Sequence, residues 1–338
     1  MTKINKTITA NISALGMYVP DKILSNFDLE KMVDTKDEWI QERTGIKERR
    51  ITTDGQATVD MASRAAERLL QTRNISAEEI DIIILATVTP DMMFPCSASQ
   101  VQDKIGATNA WGFDLSAGCS GFLFALQTGA QFIESGTHKK VMVIGADTMS
   151  SIVDYTDRNT CILFGDGAGA VLLEPSTNGF GLIDSKMKLD GSGGKFLKMP
   201  AGGSLNPPSH ETIDKKMHYI YQDGKTVFKF AVKGMADISY EIAQRNNLQG
   251  DDIKLFIPHQ ANKRIIDAAA RRLKLKEEQV LSNIDRYANT TAATIPIGMV
   301  EATKNGRLKK GDNLIISAFG TGFTWGATYI KWGLTFDE

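Results

Sequence analysis

Cysteine and histidine are scarce in this chain, with three and four among 338 residues. Cys96, Cys119 and Cys161 are odd in number and widely spaced, which fits neither a disulfide framework nor the ligand spacing of a zinc site. That usage points to a reducing compartment. Charge of one sign is also missing: the formal net charge is −1, so no global field favours nucleic acid or an anionic membrane. Long apolar runs are absent too. None approaches the roughly 20 residues that span a bilayer, and MTKINKTITANISALG at the start has no continuous apolar stretch of the secretory kind. The expectation is a soluble cytoplasmic protein whose length holds one large domain or two ordinary ones.

What the chain does contain is an alternation of apolar, β-branched runs with amphipathic ones. Residues 8–19 read as a strand ending at Pro20, followed by Ser25, Asn26 and Asp28 as caps for a short helix. Residues 58–73 read as an amphipathic helix, and DIIILATV and VMVIGA as strands buried on both faces of a parallel sheet. The spacing also predicts helices over 98–105 and 227–247. FGDGAGAVLLE has glycines, but the residues after them read as strand, where a dinucleotide-binding fingerprint requires a helix. Residues 186–225 are rich in Gly, Pro, Lys and Ser and read as a linker or a loop over a site.

The stretch GFDLSAGCSGFLF places Cys119 between a short strand and a helix too apolar all round to have one face in water. Unpaired backbone N–H groups and the positive end of a helix dipole favour thiolate over thiol there. The small residues Ser116 to Gly118, with Ser120 and Gly121, permit a sharp turn and the approach of a substrate. A buried structural cysteine is the competing reading, since cysteine is among the most buried residue types.

The second half of the chain echoes the first. Gly136, Lys139 and Lys140 fall opposite Gly306, Lys309 and Lys310 at a constant offset of 170, and the same offset carries Asp81 onto Asp251 and Cys119 onto Asn289. A duplicated α/β unit with pseudo-twofold related sites is the expectation. Two polar stretches then stand out just beyond predicted strands: FIPHQANKRI with His259, and YANTTAATIP with Asn289. Ligands bind at strand ends in such sheets, although a lone histidine is more often structural and a lone asparagine more often a cap.

DEWIQERTGIKER, GCSGF, FGDGAGAV, PHQAN, NTTAATIP and AFGTGFTWG, in this order over nearly the whole chain, resemble the thiolase-like condensing enzymes, and most closely the β-ketoacyl-acyl-carrier-protein synthase III group. The resemblance implies an α/β, five-layered αβαβα fold of two similar halves, here residues 1–175 and 176–338, with the 186–225 loop over the active site, and it implies a homodimer. It implies Cys119, His259 and Asn289 as the catalytic set and the backbone N–H groups of Cys119 and Thr321 as an oxyanion hole. Trp39, Arg43, Arg158, Gly224, Phe228 and Asn262 would bind CoA, and Phe94 would close the partner's acyl pocket. Lys229, Arg264, Arg271 and Arg272 would receive the acidic carrier protein; Arg264, Arg271 and Arg272 share one face of a helix predicted over 262–274. The family commonly has glycine where Ala288 and Thr321 stand, so altered loop geometry is expected at both.

The reaction so implied is the start of fatty-acid synthesis, a decarboxylative condensation of a short acyl-CoA with malonyl-acyl-carrier protein, without metal or other cofactor. A degradative thiolase would need a second cysteine in the C-terminal loop, and none follows Cys161. A specialised-metabolite ketosynthase or acyltransferase of the same fold remains open, as does a non-catalytic acyl-binding protein.

Overall fold

The computed structural model describes residues 7–334. Two large sheets form, and their strands follow the same spatial plan. The first contains β1 (Thr9–Tyr18), β2 (Ile82–Ala86), β3 (Trp111–Leu115), β4 (Val141–Asp147) and β5 (Gly167–Ser176) in the order β1-β5-β4-β2-β3. Within it β2 runs parallel to β3 and β4, whereas β5 is antiparallel to β4 and β1. The second contains β6 (Gly181–Leu189), β7 (Leu255–Pro258), β8 (Asn313–Gly320) and β9 (Thr324–Lys331) in the order β7-β8-β9-β6. Here β7 is parallel to β8, and β9 is antiparallel to both β8 and β6. An isolated parallel bridge from Phe256 to Val280 occupies the position that β3 holds in the first sheet.

Helices fill three layers around these sheets. Outside the first sheet lie α1 (Thr58–Arg73) and α2 (Ser97–Ile105); between the sheets lie α3 (Gly121–Glu134) and, after two further long helices, α6 (Thr294–Lys304). The two further helices, α4 (Gly224–Arg245) and α5 (Lys263–Leu273), cover the outside of the second sheet. The period of two along each strand assigns the layers. Ile82, Ile84 and Ala86 face the central helices, and Ile83 and Leu85 face α1. The central layer explains the apolar sequence of α3, in which Phe122, Leu123, Ala125 and Leu126 are all fully buried.

The echo between the halves is real, but its offset is not constant. Gly136 and Gly306 close α3 and α6 in the same left-handed conformation, with φ of +75° and +67°, at the offset of 170. α3 has 14 residues and α6 only 11, so at the helix starts the offset becomes 173. The 3-10 turn Gly118–Ser120 is therefore matched by Thr291–Ala293, and the counterpart of Cys119 is Ala292. Asn289 stands three residues before that counterpart, a correction to the sequence reading. Asp251 is displaced likewise: Asp81 N–H donates to Lys140 O, and it is Lys254 N–H that donates to Asn313 O.

Two segment boundaries also shift. Residues 186–189 complete strand β6 and residues 224–225 open α4, so the loop read over 186–225 is shorter at both ends. It carries a short helix, His210–Asp214, whose N-cap Ser209 accepts from Thr212 N–H. The outer ends of the two expected halves, residues 1–6 and 335–338, lie outside the described residues.

Candidate active site

Cys119 sits on a turn that the other half of the molecule holds in place. Gly118 has φ of +56°, and a Cβ there would lie 2.4 Å from Thr321 Cγ2, so both conformation and space require glycine. Ser120 Oγ donates to Thr324 O at 3.0 Å, and Thr324 Oγ1 donates to Ala117 O at 2.9 Å. Gly320 approaches so closely that a Cβ on it would lie 2.7 Å from Cys119 N. The backbone of Gly320 and Thr321 thus lies against the backbone of Cys119. Thr321 Oγ1 donates outward to Leu197 O at 2.5 Å.

His259 follows β7, and its N–H donates to Ser317 O at 2.7 Å. Its Nδ1 lies 2.7 Å from Thr294 Oγ1, while Nε2 is buried without a partner. Burial pushes the imidazole down to about 3, so the ring is neutral near pH 7. Asn289 is fixed on three sides. Its N–H donates to Leu163 O, its carbonyl accepts from Gly165 N–H, and its Oδ1 accepts from Thr291 N–H at 2.9 Å. The side-chain amide is left to face the Cys119 thiol, to which it hydrogen-bonds. Ala288 adopts φ +55° and ψ −151°, a conformation natural to glycine, so the altered loop geometry expected there from an alanine is not seen.

The electrostatics of Cys119 run against the thiolate expected from a helix start. Burial pushes the thiol up to about 12, and the Asp147 carboxylate adds to the rise. Sequence reasoning passed over Asp147, which lies at the end of β4 in a strand that reads as purely structural. It is fully buried and accepts from Thr87 Oγ1, Val88 N–H and Thr89 Oγ1 on one oxygen, and from Thr291 Oγ1 and Ala292 N–H on the other. It ties the turn that carries Asn289 to the first sheet.

All three chemical residues open onto one cavity of about 820 Å³, with apolar walls supplied by residues such as Leu163, Met149 and Phe319. Trp39, Arg43, Gly224, Phe228, Asn262, Arg264 and Thr321 line the same cavity. Arg158 stands beside it, its guanidinium 4.6 Å from the centre of the Trp39 ring, with Arg43 at 5.8 Å. The Asn262 side chain is engaged structurally as well. It caps α5 by accepting from Arg264 N–H, and it donates to Arg43 O at 2.9 Å.

The basic residues are not equivalent. Arg264 lies over the Phe228 ring at 4.6 Å at the cavity mouth, Arg271 and Lys229 are exposed, and Arg272 rests on Tyr240 near Asp237. Lys225 and Lys233, exposed at spacings of four on either side of Lys229, extend the patch and were readable from the helical period. Phe94 is not among the cavity residues of its own chain and is 84% exposed, as its neighbours Met92 and Met93 are exposed.

Residues 113–191 match the family model for 3-oxoacyl-[acyl-carrier-protein] synthase III, and residues 243–332 match that for its C-terminal part. A β-ketoacyl-[acyl-carrier-protein] synthase III of Koribacter versatilis is 58% identical over 334 residues, covering 98% of this chain and 99% of the relative. The chain belongs to the β-ketoacyl-[acyl-carrier-protein] synthase III family. One from Chlorobium luteolum is 56% identical over 96% of this chain and all of its own length. Among solved structures, the Aquifex aeolicus 3-oxoacyl-[acyl-carrier-protein] synthase III superposes with a TM-score of 0.89 at 43% identity, covering 96% of this chain and 100% of its own. The priming β-ketosynthase of the R1128 polyketide pathway has a TM-score of 0.89 at 29% identity, covering 98% of both chains. The five-layered thiolase-like fold of two similar halves follows from these likenesses and from the two matching sheets.

Proposed function

We propose that this protein starts fatty-acid synthesis by joining a short acyl-CoA to malonyl-acyl-carrier protein, with Cys119 as nucleophile and His259 and Asn289 as hydrogen-bond donors. The observation that carries this reading is the convergence of these three side chains, from different elements of both halves, on one apolar-walled cavity. Among solved structures, the Aquifex aeolicus 3-oxoacyl-[acyl-carrier-protein] synthase III is 43% identical, against 29% for the polyketide priming enzyme, which supports the fatty-acid pathway over a specialised one.

In the first half-reaction the Cys119 sulfur attacks the thioester carbonyl, the bond to CoA sulfur breaks, and the thiol proton ends on the departing CoA. The exchange of one thiol for another is nearly balanced. The backbone N–H groups of Cys119 and Thr321 hold the oxyanion. In the second, the malonyl group loses CO₂ and the released electron pair forms an enolate, stabilised by donors from His259 and Asn289. The enolate carbon attacks the acyl thioester, Cys119 leaves and regains a proton from solvent. Both halves balance with the two substrates and that one proton, and the reading assigns no other cofactor and no metal.

The Trp39 ring and Arg158 take the adenine between them, which requires Arg158 to leave its present contact with the ring, and Arg43, Gly224, Phe228 and Asn262 line the tunnel. Arg264, Arg271 and Lys229 receive the acidic carrier protein, with Arg272 in a lesser part because Tyr240 and Asp237 already engage it. The protein works as a homodimer in which Phe94 closes the partner's acyl pocket; its exposure in a single chain supports this. Residues 1–175 and 176–338 are the two halves, a division supported by β5 and β6 belonging to different sheets. The three free thiols support a cytoplasmic location, and no helix among the described residues is long and apolar enough to cross a membrane.

Intact-mass spectrometry after incubation with acetyl-CoA tests the core of this reading. One acyl adduct per chain is expected, absent in Cys119→Ser. An adduct on Cys96 or Cys161 overturns the assignment.

A further inference from the structure

A neutral imidazole has one proton for two nitrogens, and which nitrogen holds it decides whether the ring offers the cavity a donor or an acceptor. His259 is neutral, its Nε2 faces the cavity unpartnered, and its Nδ1 has one partner, the Thr294 hydroxyl at 2.7 Å. The hydroxyl also has one proton. Its oxygen lies 3.1 Å from the Thr291 carbonyl, the alternative place for that proton. That carbonyl already accepts the backbone N–H of Thr294 at the end of the turn, so it is not orphaned if the hydroxyl turns towards the shorter contact.

Asn289 shows the same arrangement. Its acceptor oxygen is occupied by Thr291 N–H, which leaves its donor side for the cavity. One turn, held by Asp147 through Thr291 and Ala292, thus governs both side chains.

We propose that Thr294 is a positioning residue whose hydroxyl donates to Nδ1 of His259 and keeps the ring proton on Nε2. His259 and Asn289 then present two neutral donors and no acceptor to the thioester oxygen as the enolate forms. A hydroxyl suits this place because it can donate; a carboxylate beside Nδ1 would only accept and would draw the proton to the wrong nitrogen. The inference rests on the reading of His259 as an enolate donor.

The test uses the full-length enzyme, its Thr294→Val, Thr294→Ser and His259→Ala variants, and nitrogen NMR of the imidazoles of ¹⁵N-histidine-labelled protein. The parent should show His259 with Nδ1 bare and Nε2 protonated. Thr294→Val, which keeps the shape and removes the hydroxyl, should lose about 10²-fold in decarboxylation of malonyl thioester, the scale of a misplaced group, with a smaller loss in acyl transfer to Cys119. Thr294→Ser should recover most of the rate. A parent ring protonated on Nδ1, a Thr294→Val enzyme that decarboxylates at the parent rate, or equal losses in the Val and Ser variants overturns the proposal. If Thr294→Val fails to fold, the parent spectrum decides the matter. Parent-rate decarboxylation by His259→Ala would instead overturn the reading of the site itself.

Discussion

Two physical effects compete at the Cys119 sulfur, and their sizes differ enough to predict the outcome. Burial and the Asp147 charge raise the thiol from an ordinary 9.0 to about 12. Three pKa units correspond to about 4 kcal/mol against the thiolate at 1.36 kcal/mol per unit. The start of a helix opposes this by roughly 0.3–1 kcal/mol, and by at most about 2 in a buried setting. Even the largest dipole contribution leaves the thiol above about pH 10. Alkylation of Cys119 by iodoacetamide should therefore rise about tenfold per pH unit from pH 7 to 9.5 without a plateau, because the reactive thiolate stays a small fraction throughout. Rates are read by intact mass, with Cys119→Ser as the blank for Cys96 and Cys161. Asp147→Asn should move the curve to lower pH, since removing that charge lowers the cost of the thiolate. A plateau by pH 8 in the parent would refute the reasoning and restore the helix end as the dominant effect.

Gly118→Ala combines a left-handed conformation, costing roughly 1–2 kcal/mol, with a clash against Thr321 Cγ2 worth roughly 1–3 kcal/mol. Only the second is relieved in a Thr321→Gly background, so denaturation midpoints should show a coupling of about 1–3 kcal/mol; additive effects would mean the two residues do not touch. Arg271→Glu should raise the KM for malonyl-carrier protein more than Arg272→Glu does, because Arg272 already has Asp237 and Tyr240. That rise should shrink as added salt shortens the Debye length, and equal effects from the two variants would remove the distinction. Trp39→Ala should raise the KM for acyl-CoA with little change in kcat, read from initial rates at saturating malonyl-carrier protein; a fall in kcat alone would place the ring elsewhere.

The strands that carry the fold were legible because they are buried on both faces. Such runs must be apolar throughout, and DIIILATV and VMVIGA could hardly be anything else in a chain with these helices around them. The duplication was legible for another reason: Gly136 and Gly306 both need a left-handed conformation after a helix, and glycine supplies it cheaply. What could not be read was the length difference between α3 and α6. Three residues fewer in the helix, regained between Gly306 and Asn313, leave the two glycines in step and put what lies before and after them out of step by almost one turn. The pairing of Cys119 with Asn289 failed on that point alone.

The candidate site shows the complementary limit. Cys119, His259 and Asn289 are unusual residues in unusual places, and each carries a local signal of turn or strand end. Asp147 and Thr294 carry none. Asp147 ends a strand whose preceding residues are all core, and Thr294 sits in a run of small polar residues that reads as an ordinary helix start. Their importance comes from what lies opposite them in space. Asp147 meets Thr291 across 144 positions of sequence, and Thr294 meets His259 across 35. A residue that acts on bond-forming atoms must have the right chemistry, which a sequence displays. A residue that orients another needs only a donor or acceptor at the right point, and serine, threonine and aspartate provide those throughout any chain. The reach of sequence reasoning therefore ends one hydrogen bond behind the reacting groups, and there the NMR measurement on His259 and the pH profile of Cys119 have the most to decide.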